Sequence, residues 1–254
     1  MAALHIASIF LSAFLLFLVQ PMIAKALLPE FGGSPAVWGT CLVVFQGLLL
    51  LGYASAERVR RLPPRTQLAI RSAIVLLPLL LLPPALRTAP PGPSAWPVPA
   101  LVLALAASVA APFFALSTNS TLVQSGYART VGREPYFLYA ASNVGSLLAL
   151  AAYPFVVEPA FTLTAQRTTF AGGYLVFAAL TVVLGALSLR VDGGSVEPSV
   201  ADAGPPLSWA QRRHWMWLAA IPSGLLVATT LHVSTDVAAV PLLWVIPLAL
   251  YLLS

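Results

Sequence analysis

Charged residues are missing from long stretches of this 254-residue chain, and their spacing constrains the fold more than any motif does. A helix needs about 20 mostly apolar residues to cross a bilayer, and charge-free windows close to that length recur along the sequence. We predict eight membrane spans, at residues 3–28, 36–56, 67–86, 98–124, 136–157, 168–190, 213–235 and 238–254. Only 8% of the residues are charged, which excludes a soluble cytosolic enzyme, a secreted disulfide scaffold and a disordered protein.

The basic residues indicate the orientation of the spans. The formal net charge is +5, but the arginines collect in loops between predicted spans, as they do in the cytoplasmic loops of membrane proteins. Ten of the 13 basic residues fall on the inner side when the N-terminus is placed in the cytoplasm. We therefore predict a multi-pass protein of the cell (inner) membrane with a cytoplasmic N-terminus and no nucleic-acid partner.

Motifs for chemistry are missing from the sequence. The single cysteine, Cys41, has no intrachain disulfide partner, and no Cys/His spacing resembles a metal site. No paired carboxylates, nucleophile triad or glycine-rich nucleotide turn appears in the sequence. The sequence therefore predicts no cofactor, no metal and no catalytic residue, and it leaves open whether the protein is an enzyme.

The longest charged connection divides the predicted spans into two sets. Residues 1–190 contain six spans and residues 214–254 contain two, while residues 191–213 are rich in Gly, Pro, Ser and acids, as a cytoplasmic linker would be. This is the layout of a transporter built from two halves. Because two spans do not make a half, and the chain stops within an apolar run, we expect further sequence after Ser254.

A short pattern recurs at two corresponding span junctions. Residues 30–38 and 236–244 both read acid, four residues, Pro, two residues, Trp. The first precedes span two and the second opens span eight, where a parallel repeat would place them. Pro in a first helical turn and Trp as an interfacial anchor explain the same pattern without repetition, so both interpretations stay open.

Polar residues within a predicted span are costly in lipid and mark either helix packing or a solute pathway. In span seven, Thr229, His232 and Asp236 share one helix face, where an imidazole and a carboxylate would couple proton movement to transport. Asp236 equally fits a helix cap, because it follows Ser234 and Thr235 and precedes an apolar run.

Further polar candidates lie on spans one, two and five. Gln20 adjoins Pro21, whose missing N–H frees a backbone carbonyl and favours a kink. Tyr139 and Asn143 share a face of span five, and this face would either line an aqueous cavity or bond to neighbouring helices. The candidate substrate cavity consists of Gln20, Gln46, Tyr139, Asn143, His232 and Asp236.

The predicted inner loop after span two contains a charged cluster, made of Glu57, Arg58, Arg60 and Arg61. Residues 52–61 resemble the loop between spans two and three of major facilitator transporters, which combines glycines, an acid and basic residues. Here the acid lies one place late, and Val59 and Arg60 replace the second glycine region. A loop that follows the positive-inside rule explains the arginines by itself.

Four longer strings resemble one family. They are residues 17–25, 32–38, 135–143 and 234–247, and they are similar to the membrane portion of fused major-facilitator/spermidine-synthase-like proteins of bacteria. The resemblance implies an all-α, major-facilitator-like polytopic transmembrane helix bundle, with a six-span first half and the first two spans of a second half. It also implies further spans beyond Ser254, followed by a soluble domain like the aminopropyltransferases, whose nucleotide site this chain lacks.

The leading functional hypothesis is a transporter-like membrane domain that moves or binds a small polar solute through a central cavity, with cationic, polyamine-like molecules as one class of solute. The alternative hypothesis is a non-transporting membrane anchor, or a module that feeds substrate to a spermidine-synthase-like domain. The expected partners are the lipid bilayer, an unidentified small solute and the C-terminal continuation with its synthase-like domain.

Overall fold

The computed structural model of the chain describes residues 2–85, 97–131, 136–191, 208–232 and 250. These residues form helices and connecting turns, and no strand occurs among them. The chain divides into two compact units, Met1–Arg190 and Val191–Ser254. The prediction of an all-α chain is therefore confirmed over the part that the structure describes.

The described residues form eight α-helices. They are α1 (Ala2–Phe31), α2 (Pro35–Val59), α3 (Pro64–Leu76), α4 (Pro97–Val131), α5 (Tyr136–Ala152), α6 (Glu158–Ala160), α7 (Leu163–Val191) and α8 (Trp209–His232). A 3₁₀ turn at Leu77–Leu81 extends α3. A π-helical turn at Tyr153–Val157 joins α5 to α6.

Six helical segments of the described part of the chain are long and apolar enough to cross a membrane, by length and composition. They are Ala2–Phe31, Pro35–Val59, Pro64–Leu81, Pro97–Ala128, Tyr136–Ala160 and Leu163–Leu189. These segments correspond to the first six predicted spans, although the third begins and ends several residues earlier than the sequence predicts. The seventh predicted span is helical up to His232, and the eighth lies outside the described residues apart from Leu250.

The junction between α1 and α2 is a tight turn with a cap on each side. Gly32 has a φ of 74°, the left-handed backbone that ends many helices, and its N–H donates to the carbonyl oxygen of Leu28 at 3.0 Å. The Ser34 hydroxyl accepts from the N–H of Val37 at 3.4 Å, and Pro35 takes the first helical position. The short turn makes α2 reverse the direction of α1.

Within the first unit, α1 packs along both α4 and α5, and α4 also packs along α2. Glycines bring these helices into close contact, because a Cβ on Gly145 of α5 would lie 2.6 Å from the carbonyl oxygen of Phe10 on α1. Gly52 of α2 and Ser117 of α4 approach in the same way. On α7, Tyr174 donates its hydroxyl proton to the Val75 carbonyl of α3 at 3.1 Å.

Contacts at two levels define the directions of the helices. The ring of His5 on α1 lies 5.2 Å from that of Tyr127 on α4, which lies 5.2 Å from Phe137 on α5. At the other level, Lys25 of α1 pairs with Glu158 of α6 at 2.9 Å. We call the first level the starting end, because α1 and α5 begin there, and the second level the opposite end.

The outer surface of the first unit carries large apolar side chains. Leu80 and Phe155 are each 81% exposed, and Val43 and Leu50 are each 69% exposed. Soluble monomers rarely expose so many large apolar groups, whereas lipid chains solvate them at little cost. This surface matches a bundle that is surrounded by a bilayer.

Candidate functional site

Asn119 of α4 is the centre of a polar cluster inside the first unit, and only 1% of its surface is exposed. Its Nδ2 donates to the hydroxyl of Ser12 at 3.0 Å and to the hydroxyl and carbonyl oxygens of Ser8 at 3.2 and 3.3 Å. Its Oδ1 accepts from Nη2 of Arg71 at 3.0 Å and from the hydroxyl of Thr181 at 3.4 Å. Four helices, α1, α3, α4 and α7, thus meet at one amide, and we call these five residues the Asn119 cluster.

The amide of Asn119 uses its full hydrogen-bonding capacity. A carboxamide offers two N–H donors and two oxygen lone pairs, and both ends of this one are engaged. The Ser12 hydroxyl in turn donates a hydrogen bond to the carbonyl oxygen of Ile9 at 3.0 Å. A buried carboxamide needs these hydrogen bonds, because an unpaired polar group in an apolar interior costs several kcal/mol.

Arg71 is the member of the cluster with an unsatisfied hydrogen-bond donor. Its Nε is buried and has no hydrogen-bond partner, although its Nη2 is bonded to Asn119. It forms no ion pair within the described part of the chain. Arg71 lies two turns into α3, about 10 Å from the start of that helix at 1.5 Å per residue. The residue as a whole is partly exposed, and its guanidinium is held by neutral dipoles among the described residues.

The opposite end of the first unit has its own polar groups. The ion pair of Lys25 with Glu158 links α1 to α6, and the two side chains are 38% and 33% exposed. Gln166 of α7 is buried and donates from Nε2 to the Phe161 carbonyl at 2.9 Å, which closes the turn between α6 and α7. The Tyr153 hydroxyl at the π-helical turn is buried without a partner.

The predicted cavity residues of the first unit differ in burial and in bonding. Gln20 is buried, and its Nε2 donates to the Leu16 carbonyl of its own helix at 3.2 Å. Gln46 of α2 is exposed, and so are Tyr139 and Asn143 of α5. Among the described residues, no hydrogen bond joins any two of these four predicted side chains.

The remaining two predicted cavity residues belong to the second unit. His232 is exposed at the end of α8. Asp236 lies outside the described residues, as does its proposed role as a cap of span eight. The six-residue cavity therefore stays a prediction.

The charged cluster predicted for the loop after span two begins within α2, because that helix continues through Glu57 and Arg58 to Val59, and the cluster is organised around Glu57. Its carboxylate forms ion pairs with Arg60 and with Arg61, the latter at 2.8 Å. Hydrogen bonding to Glu57 raises the pKa of the Arg60 guanidinium above its ordinary value. Arg58 donates to a carbonyl oxygen of its own helix at 3.2 Å, and Gln67 of α3 donates to the Arg60 carbonyl at 3.0 Å. Ion pairs and hydrogen bonds between residues that are close in sequence thus stabilise this cluster.

Sequence reasoning missed most of the Asn119 cluster. Arg71 falls within the predicted third span, residues 67–86, but it is counted only as one of the basic residues of the inner side. Sequence reasoning overlooks Ser8, Ser12 and Thr181 because isolated hydroxyls are common in membrane helices. One signal was present: Ser8 and Ser12 are four residues apart and so share a face of α1.

The described residues contain no group of three or more His, Cys, Asp or Glu side chains that is arranged to hold a metal ion. The chain matches no family model, no curated protein and no solved structure. The proposal about function therefore rests on the chemistry of the Asn119 cluster.

Proposed function

We propose that the chain is a transporter-like membrane domain that binds a small polar solute and moves it across the cell membrane. The observation that supports this proposal is the Asn119 cluster, which holds the guanidinium of Arg71 and side chains of four helices inside a bundle with an apolar outer surface. Ionisable groups at membrane depth are rare and costly, and they mark solute or ion pathways more often than simple packing.

A purely structural role explains the cluster less well. Buried ionic groups add little stability, and apolar side chains of similar volume often pack at least as favourably. A structural arginine would also be expected to have all its N–H groups bonded, whereas the Nε of Arg71 is buried without a partner. A binding role accounts for a donor that is held in place and left open.

The proposed architecture follows the two-half layout of major facilitator proteins. Six spans precede the predicted cytoplasmic linker, which ends earlier than residue 213 because α8 already begins at Trp209, and the remaining spans begin a second half. The N-terminus, and with it the starting end, faces the cytoplasm of a bacterial cell.

A second candidate function is supported by the resemblance of residues 17–25 and 135–143 to the membrane portion of fused major-facilitator/spermidine-synthase-like proteins. In that case the chain anchors a synthase-like domain, or delivers substrate to it, and moves no solute across the bilayer. A polyamine or its precursor would then be the expected molecule at the membrane.

Uptake by proteoliposomes tests the proposal. The full chain is reconstituted, and accumulation of polyamines, amino acids, carboxylates and inorganic phosphate is compared with that in protein-free vesicles. We expect one class to accumulate at least about threefold above the background. Absence of uptake for every class, in vesicles that contain folded protein, would favour the anchoring function instead.

Paired variants connect uptake to the cluster. Thr181→Val removes one hydroxyl bond to Asn119, and we expect it to lower uptake severalfold. Ser188→Ala is the matched control, because Ser188 lies on the same helix and bonds only to the Leu184 carbonyl of that helix at 2.9 Å. Equal loss in both variants would contradict a role for the cluster.

A further inference from the structure

The guanidinium of Arg71 is only partly engaged by the protein. Its Nη2 bonds to Asn119 at 3.0 Å, and its Nε–H is buried without an acceptor. A guanidinium carries five N–H donors in a rigid planar fork, so a single contact to one carboxamide leaves donors available. A buried donor that lacks an acceptor is a substantial cost, which a bound acceptor would remove.

The charge of Arg71 is also uncompensated. Of the three described acids in the first unit, Glu57 is paired with Arg60 and Arg61, and Glu158 is paired with Lys25. The third, Glu30, makes no ion pair with a described residue and lies on the last turn of α1, at the opposite end. The groups that bond within the Asn119 cluster are hydroxyls, a carbonyl and a carboxamide, all of them neutral. A cation whose bonding partners are all neutral attracts an anion, and the attraction grows as the site becomes less exposed to water.

We infer that Arg71 binds an oxyanion, a carboxylate or phosphate group, through the guanidinium N–H groups that are not bonded to Asn119. This inference rests on the proposed function, because the oxyanion is taken to belong to the solute. A planar fork that meets two oxygens makes two parallel, charge-assisted hydrogen bonds, the geometry for which arginine is favoured over lysine.

Asn119 is the positioning residue in this arrangement. Its Oδ1 holds Nη2 of Arg71, while its Nδ2 is held by Ser8 and Ser12 on α1. The guanidinium is therefore oriented before the anion arrives, which lowers the entropy that binding costs. The same contact turns Arg71 toward α4 inside the bundle, whereas a snorkelling arginine directs its head group toward the interface.

This chemistry selects among solutes. An anionic or zwitterionic molecule gains the attraction of Arg71, and a polyamine without an acidic group is repelled by it. The phosphate of a lipid head group offers the same oxygens as a soluble phosphate. The two sources share one binding chemistry, and the experiment below separates them.

Thermal unfolding of the purified full chain in an uncharged detergent tests the inference. Sodium phosphate and sodium succinate are titrated at constant ionic strength against sodium chloride. We expect one of the two anions to raise the Tm by about 4 °C at ten times its apparent Kd. Arg71→Gln should abolish this rise, and Arg71→Lys should weaken the apparent affinity at least about tenfold.

Arg65→Gln is the matched control, because Arg65 lies on the same helix and is exposed. It removes one positive charge and should keep the anion-dependent rise. An equal loss in Arg65→Gln and Arg71→Gln would show a general charge effect and overturn the inference. If Arg71→Gln does not fold, the comparison of Arg71→Lys with the parent decides, since equal apparent affinities would contradict fork binding.

Mixed micelles identify the source of the oxyanion. Phosphatidylglycerol and phosphatidylcholine are compared as additives, with and without the soluble anions. Competition between phosphatidylglycerol and a soluble anion supports an oxyanion site that admits both. If phosphatidylglycerol alone raises the Tm and the rise requires Arg71, the site binds an oxyanion, but the oxyanion comes from lipid. That result would contradict the inference that the oxyanion belongs to a soluble solute. No Arg71-dependent rise with any of them overturns the inference.

Uptake measured in parallel separates the inference from the proposed function. Transport of a neutral or cationic solute that Arg71→Gln leaves unchanged would refute the oxyanion site while the transporter stands. Arg71-dependent binding of a soluble anion, without uptake of any solute by folded protein in vesicles, would refute transport while the oxyanion site stands.

Discussion

Arg71 on α3 and Asn119 on α4 are separated by 48 residues in the chain and joined by a hydrogen bond of 3.0 Å. The bond fixes a point on α3, the third membrane-crossing segment, against the interior of the bundle. The same oxygen of Asn119 also accepts from Thr181 on α7. One carboxamide therefore sets the positions of three helices relative to α1, to which its nitrogen is bonded.

Removing the Asn119 side chain should destabilise the first unit. Asn119→Ala leaves Arg71 and Thr181 without their shared acceptor and leaves Ser8 and Ser12 without their donor. We expect a loss of about 2 kcal/mol in the free energy of unfolding, because buried groups that lose a partner cost about 1–3 kcal/mol. Thermal or denaturant unfolding in detergent, followed by circular dichroism, measures the loss.

Asn143→Ala provides the control for that prediction. Asn143 is exposed on α5, so its removal should change the unfolding free energy by less than about 0.5 kcal/mol. Similar losses in both variants would mean that the Asn119 bonds add no particular stability.

The close contact of α5 with α1 predicts a second stability effect. Gly145→Ala places a Cβ 2.6 Å from the backbone oxygen of Phe10, and backbone yields less easily than a side chain. We expect a destabilisation of about 1–3 kcal/mol, as for other overpacked sites. Gly47→Ala on α2 is the control, because no heavy atom lies within 4 Å of its added Cβ, and it should be neutral or stabilising by up to about 1 kcal/mol. A neutral Gly145→Ala would disprove the close approach.

Most of the helical layout was predictable because lipid imposes a simple rule. Every backbone polar group in the bilayer must be bonded internally, so an apolar window of about 20 residues has little choice but to form a helix. The windows that begin near Pro35 and Pro97 coincide with α2 and α4 to within a residue at their starts. The third segment begins earlier than predicted, at Pro64, because proline fits a first helical turn, and it ends at Leu81, before Pro83 and Pro84.

The polar cluster was less predictable, since it depends on how helices rotate about their axes. Asn119 carries no signal in sequence that distinguishes it from Asn143, yet the first is buried among four helices and the second is exposed. The composition of a span does not determine how its helix is rotated about its axis, because both helices carry apolar residues on every face. Rotation follows from packing, and the closest contacts involve glycines, such as Gly145 against α1.

The ion pair of Lys25 with Glu158 predicts compensation between two charge reversals. Lys25→Glu alone sets two carboxylates together at the opposite end and should lower the Tm, and Glu158→Lys alone should do the same with two cations. The double variant restores an attractive pair and should recover most of the stability. Because both side chains are about one third exposed, the coupling is about 0.2–1 kcal/mol and weakens as salt is added. Purely additive effects across the four proteins would show that the pair has no energetic role.

The basic residues predict which end of the first unit faces the cytoplasm. Ten of 13 lie on the side assigned to the N-terminus and to residues 191–213. Ser199→Cys, in a segment outside the described residues, should resist a membrane-impermeant thiol reagent in intact cells and react after permeabilisation. Ala160→Cys, exposed in α6 at the opposite end, should react in intact cells, while the native Cys41 is only 3% exposed and should stay unlabelled. The reverse pattern at Ser199 and Ala160 would invert the topology and place the nearest route to Arg71 on the outer face of the membrane.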